Sequence, residues 1–163
     1  MTNQTLNLFI VEDNPESALK LHQFLDTRFG TVFNISTFTD AVTAMSKVDE
    51  NTSVVVLDYD YFGDEGNKIV DLIKIINKKT KVIILSNNEE IFTAIDSYKN
   101  DVDNYLLKEK GVKKKLSMTL FEIVTYPANY LQMKYSVSEF FAYLIFLFVV
   151  VGILVTIGFI SIY

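Results

Sequence analysis

The sequence contains no cysteine. That excludes a disulfide framework, a thiol nucleophile and a thiolate metal site, and it says nothing about the redox compartment. A cationic surplus is missing too. The 15 basic against 20 acidic side chains leave a formal net charge of -5, which argues against general nucleic-acid binding, because neutralising a phosphate backbone needs excess Lys and Arg. The single histidine, His22, has no metal or catalytic partner near it in the sequence and is read as a surface residue of the first helix. No glycine-rich phosphate loop of the nucleotide-binding kind occurs, so direct use of ATP is not expected. Met1 to Asn7 is polar and leads into a short apolar segment stopped by Glu12 and Asp13, so no signal peptide is expected. The last absence is the most consequential: Phe140 to Tyr163 carries no charged residue at all.

Those 24 closing residues are mostly apolar. As a helix they would extend about 36 Å, against a hydrocarbon core of about 30 Å, so the reading is a single transmembrane helix over residues 140–163. Tyr135, Phe140, Phe141 and Tyr143 at one end and Tyr163 at the other suit the interfacial aromatic belts. Residues 125–139 then form a juxtamembrane linker, in which Pro127 marks a helix boundary, and residues 1–124 form the folded domain.

Within 1–124 the apolar period switches repeatedly between strand-like runs and helical spacing, the mark of a parallel sheet wrapped by helices. The strand-like runs are Leu6 to Val11, Thr31 to Ser36, Val54 to Leu57, Val82 to Leu85 and Val102 to Leu107. Most are continuous apolar runs, as in strands buried on both faces. Between them lie five helical faces: Ala18, Leu21, Leu25, Phe29; Ala41, Ala44, Met45, Val48; Ile69, Leu72, Ile73, Ile76; Ile91, Ala94, Ile95, Tyr98; and Val112, Leu116, Leu120, Ile123. Asn14 before Pro15 is a helix start, and Gly30 stands where a stop is wanted. Lys113, Lys114 and Lys115 are read as the solvated face of the fifth helix.

Ligands of open parallel sheets bind beyond the carboxyl ends of the strands, so the residue after each run carries the chemistry. Glu12 and Asp13 follow the first run, Asp58 the third, Ser86 the fourth and Lys108 the fifth. Three carboxylates at one edge repel unless a cation lies among them, and an all-oxygen cluster suits a hard ion such as magnesium. A carboxylate such as Asp58 can then attack phosphorus while Lys108 and the metal stabilise the transferring oxygens and Ser86 donates to one of them.

Val11-Glu12-Asp13-Asn14, Leu57-Asp58, Ser86 and Leu107-Lys108 together resemble the functional set of bacterial two-component response-regulator receivers over roughly residues 5 to 124. The resemblance implies an α/β fold of the flavodoxin-like, doubly wound kind, with a five-stranded parallel sheet in the order 2-1-3-4-5. It implies Asp58 as phosphoacceptor, with Mg2+ held by Asp13, Asp58 and the backbone carbonyl of Asp60, and by Glu12 through water. It implies Ser86 and Tyr105 as a switch pair, the hydroxyl drawn toward the phosphate and the ring moving inward behind it. Gly66 also falls where the family has a glycine. Two positions depart from the family: Phe62 and Glu109 stand where proline is usual. The second bears on geometry, because a cis peptide bond after the lysine is common in the family and is costly without proline.

Asp58-Tyr59-Asp60 also resembles the nucleophile motif of haloacid-dehalogenase-like phosphatases, but in that family the motif precedes the acid pair, whereas here Glu12 and Asp13 come first. The expectation is therefore a phosphoacceptor with at most slow self-dephosphorylation rather than an enzyme. Its partners would be a histidine kinase or phosphotransfer protein, an output partner contacted through the fourth and fifth helices, membrane lipid through the closing helix, and a membrane protein, with no nucleic acid. The receiver would face the cytoplasm at the inner membrane, with no output domain in the same chain. The contrasting expectation is a degenerate receiver serving as a structural or assembly subunit of a membrane complex.

Overall fold

The computed structural model describes residues 6–62, 65–88, 103–125 and 138–162. The expected fourth helical face from Ile91 to Tyr98, Val102, Pro127, Tyr135 and Tyr163 lie outside the described residues. The chain divides into two units, Met1–Thr119 and Leu120–Tyr163.

The first unit is built on five parallel strands, β1 (Leu6–Val11), β2 (Phe33–Phe38), β3 (Thr52–Asp58), β4 (Lys81–Ser86) and β5 (Asn104–Leu107), in the order β2-β1-β3-β4-β5. This is the order expected from the sequence. The central β3 is buried at every position, and the edge strand β2 is half exposed, which is why the apolar run is continuous in one and broken by Asn34, Ser36 and Thr37 in the other. β2 begins two residues later than expected. Thr31 and Val32 are used in turning away from the first helix, with the Val32 amide donating to the Phe29 carbonyl at 2.8 Å.

Helix α1 (Pro15–Phe29) starts where Asn14 Oδ1 accepts from the amides of Glu16 and Ser17 at 3.0 and 3.1 Å, and it buries Ala18, Leu21, Leu25 and Phe29 as expected. His22 is a correction: it is half-buried, and its Nδ1 is shielded from solvent with no hydrogen-bond partner among the described residues, because it adjoins the packed stripe at Leu21. Helix α2 (Ala41–Met45) is a short segment capped by Asp40, which accepts from the Thr43 amide at 2.7 Å. A further turn, α3 (Tyr59–Phe62), directly follows β3. It is too short to show periodicity in the sequence.

Helix α4 (Glu65–Ile76) turns a different face inward from the one expected. Ile69, Val70 and Ile73 are buried, whereas Leu72 and Ile76 are 47% and 46% exposed. Apolar residues at 69, 70, 72, 73, 75 and 76 support two overlapping stripes, and the packing of Gly66 decides between them: a Cβ there would lie 2.3 Å from a ring carbon of the buried Tyr59. Leu72 instead lines an open groove of about 720 Å³ with Ala41, Val42, Met45 and Phe62. Helix α5 (Val112–Thr125) runs from the first unit into the second and buries Leu116, Leu120 and Ile123.

The second unit also contains helix α6 (Glu139–Ile162), whose Phe140, Phe148 and Leu154 are well exposed. Among the described residues no helix is long and apolar enough to cross a membrane. The spanning helix expected over Phe140 to Tyr163 is thus not shown by the fold.

The amino ends of β3 and β4 are tied by polar side chains. Thr80 Oγ1 donates to the Thr52 carbonyl at 2.7 Å, and the Asp103 carboxylate accepts from Lys74 at 2.8 Å, Lys81 at 2.9 Å and the Val82 amide at 2.9 Å. Burial pushes the Asp103 carboxyl upward, but the two ammonium groups and the amide outweigh it and hold it below its ordinary value. Its contribution to stability is therefore present above the ordinary carboxylate range and lost as pH falls through it. Asp103→Asn is expected to lower stability by about 1–2 kcal/mol at pH 7, with the difference from wild type closing toward pH 3 in urea denaturation curves.

Candidate functional site

Parallel pairing brings the carboxyl ends of β1, β3, β4 and β5 to one edge. Glu12 and Asp13 leave β1, Asp58 is the last residue of β3, Ser86 the last of β4, and Lys108 the first beyond β5. Glu12 and Asp58 are buried, at 8% and 3% exposure, while Asp13 is open to solvent. Carboxylate oxygens of Glu12, Asp13 and Asp58 all lie within 4.8 Å of one another.

Among the described residues one ammonium serves this cluster. Lys108 Nζ donates to Asp58 Oδ2 and lies 3.4 Å from Asp60 Oδ2. Burial alone would lower the lysine's pKa, but Asp58 first, then Glu12 and Asp60, raise it above the ordinary value, so it stays charged. Glu12 lacks such a partner. Burial, and then the adjoining Asp58 carboxylate, raise it from 4.5 to about 7 against the smaller opposing pull of the Asn14 amide and Lys108. That amide donates to Glu12 Oε1 at 3.3 Å.

The Asp60 side chain is the residue that sequence reasoning undervalued. The resemblance gives it a metal-ligand role through its backbone carbonyl, and its place two residues past Asp58 suits positioning or excluding an attacking water; its carboxylate instead accepts from Ser86 Oγ, from the Asn87 amide at 3.0 and 2.9 Å, and from Asn87 Nδ2 at 2.7 Å. Burial is the largest influence on it and is upward, but these donors and Lys108 together hold it below its ordinary value. Ser86 is thus at the site as expected, with its hydroxyl given to Asp60. Asn87 was missed altogether, although its place immediately after Ser86 at a strand end was the signal available. The Asp60 amide donates to Asp58 Oδ1 at 3.1 Å.

Tyr105 pairs in register with Ile84, packs against the core cluster beneath the site, and donates its hydroxyl to the Asn88 carbonyl at 2.5 Å. The Asn88 amide donates in turn to Ser86 Oγ at 3.1 Å. The switch pair read from the resemblance is therefore joined through one residue.

The sequence pattern of the response regulator receiver domain matches residues 8–119. The chain belongs to the response regulator receiver family. No curated protein matches it. Among solved structures the receiver is similar to the response regulator DrrB of Thermotoga maritima, at 20% identity and a TM-score of 0.61, over 74% of this chain and 52% of that one. It thus spans about half of DrrB's length. A CheY-like receiver domain protein from Methanospirillum hungatei aligns at 14% identity and a TM-score of 0.60, over 73% of this chain and 94% of that one. A response regulator receiver domain protein from Clostridium thermocellum aligns at 19% identity and a TM-score of 0.61, again over 73% and 94%. At these identities the likeness carries the fold alone.

The two departures from the family pattern have visible outcomes in this receiver. No peptide bond among the described residues is cis, so the lysine loop runs trans through Glu109. Its carboxylate pairs with Lys115 of α5, and Gly111, at a φ of 103° that suits glycine, closes the loop. Phe62 lines the groove beside α4.

Receivers bind Mg2+ in an acidic pocket, and the Glu12, Asp13 and Asp58 oxygens fit a hard cation by donor type and spacing. Without metal, the raised Glu12 favours the folded state when protonated, so its contribution to stability falls as pH rises from about 4.5 to about 7. Metal must displace that proton. Apparent Mg2+ affinity, followed by calorimetry, is expected to rise about tenfold between pH 6 and pH 8, and Glu12→Gln is expected to flatten the rise.

Proposed function

We propose that this receiver is a membrane-anchored phosphoacceptor of a two-component or phosphorelay system, phosphorylated on Asp58 and signalling through protein contacts. The observation that carries the reading is the Lys108 ammonium held on a buried Asp58 carboxylate beside two further acids. Receivers take phosphoryl groups from histidine kinases or phosphotransfer proteins. In that reaction an Asp58 oxygen bonds to phosphorus, the bond from phosphorus to the donor's imidazole nitrogen breaks, and the electron pair leaves with the imidazole. Lys108 stabilises charge on the transferring oxygens. Mg2+ held by Asp13, Asp58, the Asp60 carbonyl and, through water, Glu12 supplies further neutralisation when bound. The chain acts as a carrier of the phosphoryl group and not as an enzyme toward a separate substrate.

The anchor rests on the tail. Residues 140–163 carry no charge, and the large apolar side chains of α6 are exposed. The Thr156 hydroxyl is turned back onto the Gly152 and Ile153 carbonyls at 3.1 and 2.8 Å, as a polar group in hydrocarbon must be. The receiver would then face the cytoplasm at the inner membrane, a reading supported by the histidine-kinase donors that receivers use.

Two measurements test this reading. Phosphate-affinity electrophoresis with Mg2+ and acetyl phosphate is expected to show a shifted band that is absent from Asp58→Asn; no shift with any donor would favour a structural subunit that has kept the fold without the chemistry. On alkaline carbonate extraction the full chain is expected to stay with the membrane pellet, and a chain lacking residues 140–163 to leave it. Extraction of the full chain would remove the anchor from the proposal.

A further inference from the structure

We propose that the Asp60 carboxylate is a built-in stand-in for the phosphoryl group: before phosphorylation it holds the donors that phosphoryl oxygens on Asp58 require, and phosphorylation exchanges one anion for the other. This rests on the reading of Asp58 as the acceptor.

The phosphoryl oxygens need the hydroxyl and the ammonium at the strand ends, Ser86 and Lys108. In the unphosphorylated chain Asp60 takes the first and shares the second: Ser86 Oγ donates to its Oδ1, and Lys108 Nζ, which donates to Asp58 Oδ2, also lies 3.4 Å from its Oδ2. The Asn87 amide adds contacts at 3.0 and 2.9 Å, and Asn87 Nδ2 a fourth donor at 2.7 Å. A single carboxylate thus gathers donors from the ends of β4 and β5. It is anchored beside the acceptor by its own amide, which donates to Asp58 Oδ1 at 3.1 Å. A charge-assisted set of this kind is strong enough to hold a loop.

What it holds is the switch. Ser86 Oγ also accepts from the Asn88 amide at 3.1 Å, and the Asn88 carbonyl accepts from the Tyr105 hydroxyl at 2.5 Å. Asp60 therefore keeps Ser86, Asn87, Asn88 and Tyr105 in one connected arrangement without a phosphoryl group. When acetyl phosphate reacts, an Asp58 oxygen bonds to phosphorus, the bond to the acetyl oxygen breaks, and acetate leaves with the electron pair. Asp60 changes only its hydrogen-bond partners.

The test uses the full chain at saturating Mg2+, comparing wild type with Asp60→Ala and Asp60→Asn, and with Asp58→Asn as the blank. Initial phosphorylation rates are read by phosphate-affinity electrophoresis, and the Asn87 and Asn88 amides by ¹⁵N NMR. Asp60→Ala is expected to react about tenfold faster, the effect of releasing roughly one charge-assisted hydrogen bond. Asp60→Asn keeps the shape and one acceptor oxygen, and is expected to fall between Asp60→Ala and wild type. The Asn87 resonance is expected to shift in Asp60→Ala and to return toward its wild-type position when beryllofluoride is added. Equal acceleration in the two Asp60 variants would reduce the effect to net charge and overturn the proposal. An unmoved Asn87 resonance, or no acceleration, would overturn it as well. If wild type accepts no phosphoryl group, the acceptor reading falls and takes this inference with it.

Discussion

Everything at the carboxyl edge of the sheet depends on one electrostatic constraint: among the described residues, four carboxylates share a small space with a single ammonium. Two like charges about 4 Å apart at a protein boundary repel by about 4 kcal/mol, so Glu12, Asp13, Asp58 and Asp60 cannot all stand ionised and unrelieved. Each is relieved differently. Asp58 takes Lys108, Asp60 takes Ser86, Asn87 and a share of the same ammonium, Asp13 faces solvent, and Glu12 holds a proton to about pH 7. A divalent cation offers a common solution for three of them, which is why the cluster reads as a metal site rather than as surface charge.

That concentration of charge has to be paid for by rigidity beneath it, and the fold provides this at the opposite end of the strands. Asn77 Nδ2 donates to the carbonyls of Asp49, Glu50 and Thr52 at 3.4, 3.2 and 3.3 Å, and Lys74 reaches the Thr80 carbonyl at 2.9 Å. The end of α4 is thereby fastened to the start of β3. With β3 buried throughout, its last residue has little freedom, and Asp58 meets Lys108 by placement rather than by search.

Much of this was legible in the sequence because it is local. A buried parallel strand is a short apolar run, and its end is marked by the first polar residue, so Asp58, Ser86 and Lys108 could be located and the strand order anticipated from the family pattern. What escaped depended on competition between alternatives. Thr31 and Val32 suit a strand but are consumed by the turn after Phe29. The apolar positions of α4 allow two faces, and only the contact between Gly66 and Tyr59 selects one. The role of the Asp60 side chain depended on which donors reached it across 26 residues, a matter of tertiary geometry that no spacing rule encodes.

The path from the Asp60 carboxylate to Tyr105 is short because its members are consecutive. Ser86, Asn87 and Asn88 are three neighbouring residues, two of which contact the Asp60 anion while the third receives the Tyr105 hydroxyl. Ser86 Oγ links the Asp60 carboxylate to the Asn88 amide, and the Asn88 carbonyl holds the Tyr105 hydroxyl, so the anion and the ring are joined through one residue's backbone. No relay through the core is required. The same compactness sets the condition for a usable signal: the two anions must differ in how they place Ser86. On the proposed reading an aspartyl phosphate would carry its oxygens on Asp58 at the end of β3, whereas Asp60 carries its carboxylate on the first turn beyond it. That difference in attachment, rather than in charge, is what the loop after β4 can sense.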